Sequence, residues 1–307
     1  MRRSLAALSL ITCMLAAAPA SAQDKSAQDK IQDKIRVVAT FSILADLVRN
    51  VGGDTVDVTS LVGPNGDAHA YAPSPADAKR LAEARLVLVN GLGFEGWIER
   101  LVKASGTKAA MVTASKGVKS RQMADDHGHD HGKSDPHAWQ SVANAKIYVN
   151  NIRDALVKAH PDGKATYEAN AAAYLAKLDA LDNEIKSTVA AIPAERRKII
   201  TTHDAFGYFA AAYGMQFIAP QGVSTESEVS ARDVAKIIRQ IKAQKIPAVF
   251  MENVTDQRLM NRIAEESGAK VGGKLYSDAL SEPGGPATSY LDLMRSNLKE
   301  LRVALTS

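Results

Sequence analysis

At 307 residues, 46% of them hydrophobic, the chain is long enough to build two lobes of ordinary domain size, each with its own buried core, which excludes a disordered protein. The formal net charge of +4 falls to +2 once Arg2 and Arg3 are removed with the N-terminal segment, which leaves no footprint for nucleic acid. The single cysteine, Cys13, lies in that same segment, so the mature chain has neither disulfides nor thiolate metal ligands.

Residues 1–22 have the charged, apolar and small-residue order of a cleavable secretory signal peptide: Arg2 and Arg3, an apolar run over 5–18, then Pro19-Ala20-Ser21-Ala22, with cleavage expected after Ala22. The run is about 14 residues where roughly 20 are needed to span a bilayer, and no other stretch comes near, so a soluble periplasmic protein is expected. Leu10-Ile11-Thr12 precedes Cys13, and threonine where a small residue is wanted argues against lipid attachment there. Residues 23–34 continue a repeated Ser-Ala-Gln-Asp-Lys tract that has almost nothing to bury and reads as a mobile polar leader.

From residue 35 short apolar runs alternate with helical patterns. Strands are predicted at 36–41, 56–62, 86–90 and 109–112, an alternation that implies a parallel sheet with crossover helices. Over 164–191 the pattern becomes one long amphipathic helix, with Tyr174, Leu178, Leu181, Ile185 and Val189 three or four apart, and Pro193 ends it. Strands resume at 198–202, 216–219, 248–251 and 270–275. The expected class is α/β: two lobes, each a central parallel sheet flanked by helices, joined by one long linker helix. The lobes are assigned to 35–161 and 193–307, the linker to 162–192, and a histidine-rich loop to 125–135.

Open α/β sheets bind ligands beyond the carboxyl ends of their strands. His203 directly follows one predicted strand, Asp278 lies three residues past another, and His69 sits in the loop after a third. His137, in Asp135-Pro136-His137-Ala138-Trp139, precedes a helical pattern. Singly, each reads as an ordinary loop residue; together they supply three imidazoles and a carboxylate, a complete four-coordinate set for Zn²⁺. His160, beside Pro161 at a helix end, reads as structural, and Asp204 as the cap of the helix that follows it.

Four segments carry a resemblance. Asp67-Ala68-His69-Ala70-Tyr71-Ala72-Pro73-Ser74-Pro75, Asp135-Pro136-His137-Ala138-Trp139, His203-Asp204-Ala205-Phe206-Gly207-Tyr208-Phe209 and Tyr276-Ser277-Asp278-Ala279-Leu280 occur in the order found in the periplasmic metal-binding proteins of zinc and manganese ABC importers. The sequence resembles this family, also called cluster 9 or cluster A-I, over essentially all of 35–307, with Ala68, Ser74 and the run after Trp139 as departures. The resemblance implies a metal held between lobes, with His69 and His137 from the first and His203 and Asp278 from the second. It also implies a linker helix that limits lobe motion, and a membrane permease with its ATPase as partners. A histidine at position 203 is often the mark of zinc members, where many manganese members carry glutamate, and imidazole suits zinc as carboxylate suits Mn²⁺.

His127, His129 and His131 stand in an acidic, glycine-bearing loop and are expected either to bind a second zinc weakly, in exchange with the main site or a periplasmic zinc chaperone, or to be a solvated loop that meets metal incidentally. The protein is expected to be a monomer and not an enzyme. Manganese, alone or mixed with zinc, is the alternative cargo, and a secreted zinc hydrolase the remote one; H-E-x-x-H is lacking and four protein ligands would close the site to water. No recognisable adhesive module is encoded, and no phosphate loop, so energy for import would come from a partner. Gly91-Leu92-Gly93-Phe94-Glu95-Gly96 fits G-x-G-x-x-G, but it follows the third strand of its lobe, and no acid occurs over 101–124; it is read as a turn.

Overall fold

The computed structural model describes residues 34–122, 134–226 and 229–306. The expected signal peptide, all but the last residue of the leader, and His127, His129 and His131 lie outside the described residues.

The first half is built from β1 (Ile35–Phe41), α1 (Ser42–Gly52), β2 (Val56–Val62), α2 (Pro75–Glu83), β3 (Leu86–Val89), α3 (Ile98–Ser105), β4 (Ala110–Thr113) and α4 (Val142–Ala159). The second contains β5 (Lys198–Ile200), α6 (Gly207–Tyr213), β6 (Gln216–Ile218), α7 (Ala231–Gln244), β7 (Ala248–Glu252), α8 (Gln257–Ser267), β8 (Lys270–Leu275) and α9 (Tyr290–Thr306); α5 (Lys164–Ala190) runs between the two sets. Each set forms a four-stranded parallel sheet, ordered β2-β1-β3-β4 and β6-β5-β7-β8. The two-sheet α/β architecture read from the sequence is the one present.

The central strands have the sequences their places require. β3 is Leu-Val-Leu-Val, buried at every position, and β1 is buried everywhere but Arg36, as befits strands with helices on both faces. The edge strand β4 leaves Met111 44% exposed. In both sheets the chain reverses direction of growth between the first strand and its later neighbour, which opens a crevice at the carboxyl ends of β1 and β3, and of β5 and β7.

Helix α5 has 27 residues, about 40 Å at 1.5 Å per residue. Its stripe of Tyr167, Ala171, Tyr174, Leu178, Leu181, Ile185 and Val189 is buried against α4, α1 and α9. Polar bonds fix it to both halves: Asn170 Nδ2 donates to Val51 O at 3.1 Å, and Tyr213 of α6 donates to Asp182 Oδ1 at 2.8 Å. His160 lies 2.8 Å through Nδ1 from the Tyr167 hydroxyl, a structural contact as expected.

The described residues from Ile35 onward form one compact unit. One continuous hydrophobic cluster runs from β1 through α4 and α5 to the inner face of the second sheet and α9. A separate, smaller cluster lies on the outer face of that sheet, where Ile200 and Val249 meet Val234, Ile237 and Ile241 of α7 and Met260 and Ile263 of α8.

Candidate metal centre

The four residues singled out from the sequence come together: one ligand atom from each of His69, His137, His203 and Asp278 lies within 4.8 Å of all the others. His137, His203 and Asp278 are fully buried and His69 is 8% exposed.

His69 is carried on the loop between β2 and α2. Asp67 Oδ1 accepts from its backbone N–H at 2.9 Å, and Trp97 Nε1 donates to Ala68 O at 2.8 Å. Downstream, Ser74 and Asp77 form a capping box with Pro75 in the first turn, so the Pro-Ser-Pro of this segment starts α2 and fixes where the loop ends. His137 begins the short turn Ala138–Gln140. Asp135 Oδ1 accepts from both its backbone N–H at 3.0 Å and its ring Nδ1 at 2.9 Å, which leaves Nε2 for the centre.

His203 follows β5, and its grip comes from Glu252 at the end of the neighbouring β7. Glu252 Oε1 accepts from the amides of Thr202 and His203 at 2.8 and 2.9 Å, and Oε2 lies 2.5 Å from His203 Nδ1. Asp278 lies just past β8, where Ser277 O accepts from Trp139 Nε1 at 3.0 Å and Gln140 Nε2 at 2.8 Å across the interface between the sheets. Asp204, expected to cap a helix, does not: α6 starts at Gly207, its first residue is preceded by Phe206 with no side-chain cap, and the Asp204 amide donates to Gly222 O.

Asp278 is the hub. Its Oδ2 lies 3.3 Å from His69 Nε2 and 3.2 Å from His203 Nε2, its Oδ1 lies 3.5 Å from His137 Nε2, and the Nε2 atoms of His69 and His137 are 3.2 Å apart. Bonds of 2.0–2.2 Å to a tetrahedral cation put ligand atoms about 3.3–3.6 Å apart, so these edges fit a metal polyhedron. Both Asp278 oxygens and His203 Nε2 are buried without a hydrogen-bond partner. A buried carboxylate left so costs several kcal/mol unless a cation lies against it.

The electrostatics agree. Burial alone would push His137 down, but the Asp278 charge and the Asp135 hydrogen bond outweigh it and raise the imidazole to about 9. Burial likewise opposes, and the Glu252 and Asp278 carboxylates overcome, in His203, which is raised well above its ordinary value. Burial would raise Asp278, yet the imidazole charges of His137 and His203 hold it well below the carboxylate range. The pocket is built to hold positive charge.

Two supports were not read from the sequence. Glu252 is one: its partnership with His203 depends on β5 and β7 being neighbours, although an acid closing a central strand at the crevice was a usable signal. The other is the G-x-G-x-x-G segment. It is a turn, as expected, with Gly91 at φ 83°, where a Cβ would come within 2.4 Å of Thr113. Its first amide is satisfied within the turn: Glu95 accepts from Gly91 N at 3.2 Å, as it does from Asn90 N at 2.6 Å. What the turn presents is Phe94, edge-on to His69 at 4.7 Å between centroids.

Comparison with known proteins places this geometry. Residues 37–304 match the family described as zinc-uptake complex component A, periplasmic. The chain belongs to this family. It is 33% identical to the manganese ABC transporter substrate-binding lipoprotein scaA of Streptococcus gordonii, over 93% of this chain and 94% of that one. It is 36% identical to the iron-binding protein YfeA of Yersinia pestis, over 85% of this chain and 83% of the other. The periplasmic zinc-binding protein TroA of Treponema pallidum superposes with a TM-score of 0.83 at 30% identity, covering 89% of this chain and 99% of TroA. Membership makes the chain a metal-binding solute receptor of an ABC importer, working with a membrane permease and its ATPase, and not an enzyme.

Proposed function

We propose that the protein captures Zn²⁺ in the periplasm and delivers it to its permease, with His69, His137, His203 and Asp278 as the four ligands. The observation that carries this reading is the donor set: three imidazoles and one carboxylate converge in a buried pocket, two of the imidazoles backed by carboxylates at Nδ1. Imidazole-rich sites rank zinc well above manganese in intrinsic affinity. Carboxylate–histidine pairs behind a site raise ligand basicity and fix the ring tautomer, which further favours a nitrogen-seeking ion. The domain assignment follows the same logic: residues 35–161 and 193–307 would each bring two ligands, with 162–192 between them.

Manganese is the second reading, and one observation favours it. Asp278 turns both oxygens toward the imidazoles and accepts no hydrogen bond at either, so it can bind through both and raise the coordination number above four. ScaA, named for manganese, is consistent with that.

The test is a competition titration of metal-free protein with Zn²⁺ against a chromophoric chelator, repeated in excess Mn²⁺. Tight zinc binding that survives manganese is expected. Displacement by manganese would transfer the assignment to that ion, and no tight binding of either would sink the ligand set.

A further inference from the structure

The segment around Asp135 is held by a residue from the far side of the centre. Tyr208, buried near the start of α6, donates through its hydroxyl to Asp135 O at 3.1 Å and accepts from the Arg121 amide at 3.0 Å. Arg121 and Asp135 are themselves paired, since the Asp135 amide donates to Arg121 O at 2.9 Å. One phenol therefore closes a ring of three bonds. The Arg121 guanidinium lies over the Tyr208 ring, 5.8 Å from its centroid, and its Nε is 3.7 Å from Asp135 Oδ2. Gly207 completes the fit: a Cβ there would come within 2.6 Å of Asp135 Oδ2.

Asp135 is the carboxylate that aims His137, and Tyr208 lies five residues after His203, in the same segment. The segment that delivers one imidazole of the centre in the second half of the molecule thus also grips, at its backbone carbonyl, the residue whose carboxylate orients another in the first half. Burial lifts the Tyr208 phenol above its ordinary range, so the hydroxyl keeps the proton it donates.

We infer that Tyr208 is a positioning residue for the bound metal: through its hydroxyl bond to Asp135 it makes the aim of His137 depend on where α6 sits, and so sets how long the ion is retained. The inference rests on the metal-capture reading above. It predicts that shifting α6 turns His137 away and opens the centre while His69, His203 and Asp278 stay in place.

The test is the rate at which a fluorescent chelator strips Zn²⁺ from the loaded full chain. Tyr208→Phe keeps the ring and removes the hydroxyl; about a tenfold faster release is expected, the size usual for loss of a residue behind a metal ligand. Tyr213→Phe is the comparison, since that hydroxyl, on the same helix, bonds Asp182 and the Val142 amide and touches neither a metal-facing residue nor its carboxylate. It should lower the melting temperature of the metal-free protein at least as much, yet leave release within about twofold. In an Asp135→Asn background, Tyr208→Phe should add little further, because both changes cut the same path. Unchanged release in Tyr208→Phe, or an effect that multiplies fully with Asp135→Asn, overturns the inference. Should Tyr208→Phe not accumulate as folded protein, Gly207→Ala pushes directly on the Asp135 carboxylate, and it must speed release for the inference to stand. If the unaltered chain binds neither zinc nor manganese tightly, the functional reading fails with it; binding with normal release in the variants sinks the inference alone.

Discussion

His203 and His69 face the same carboxylate but are held in opposite ways. His203 is fully buried, its amide bonded to Glu252 and its ring Nδ1 2.5 Å from the same carboxylate, whose own strand is central in the second sheet. His69 is fastened by its backbone, through Asp67, and among the described residues no carboxylate is paired with its Nδ1. It borders a cavity of about 630 Å³ lined by Phe94, Ser134, Pro136 and Glu226, which none of the other three reaches. One side of the centre is sealed within the protein, and the other borders a cavity. A receptor that must both retain and release its cargo has these two requirements separated in space.

Proton competition should give the largest effect. With His137 raised to about 9 and His203 raised well above its ordinary value, each must shed a proton before it can coordinate, so affinity should fall by about ten- to a hundredfold for each pH unit below 9. For the metal-free fold the sign is reversed. Imidazoles with raised pKa values stabilise it fully below their unfolded value of 6.5 and lose that contribution as pH climbs through about 9. Metal-free protein should therefore melt earlier at pH 9 than at pH 6.5 while loaded protein does not; parallel curves would mean that the histidines are not coupled to the metal.

Next in size, His203→Ala should weaken zinc by roughly 100-fold or more, since a structural zinc site contributes about 10–16 kcal/mol over four ligands. Isothermal competition against a chelator reads this directly. Removing the grip rather than the ligand should cost less: Glu252→Gln and Asp135→Asn are each expected to lose about 10- to 100-fold, the usual range for carboxylates behind metal-bound histidines. Equal losses from Glu252→Gln and His203→Ala would show that orientation, not the donor atom, carries the affinity. His69→Ala should be mildest, about tenfold, because water from the adjoining cavity can take the vacated position. A loss as large as that of His203→Ala would erase the distinction between the two sides.

Much of this was legible from residues 35–307 alone. Strand positions emerged within a residue or two because central strands such as Leu86–Val89 are unbroken apolar runs, and the long helix because its apolar residues recur every three or four positions. The four metal-facing residues were legible because strand ends and short loops place them locally. What was missed depends on contacts between distant segments. Glu252 meets His203 across 49 residues, and Tyr208 meets Asp135 across 73. Asp204 was misread for a local reason: α6 begins two residues later than capping would need, since the chain first bridges Gln221 at His203.

The small apolar cluster beneath α7 and α8 has a consequence for how the molecule breathes. It shares no buried residue with the continuous core, so these two helices can detach in a sub-global opening that leaves the metal-facing residues in place. Backbone amides of Ala231–Gln244 and Gln257–Ser267 should then exchange with deuterium well before those of Lys164–Ala190, and adding zinc should slow the latter while leaving the former nearly as fast.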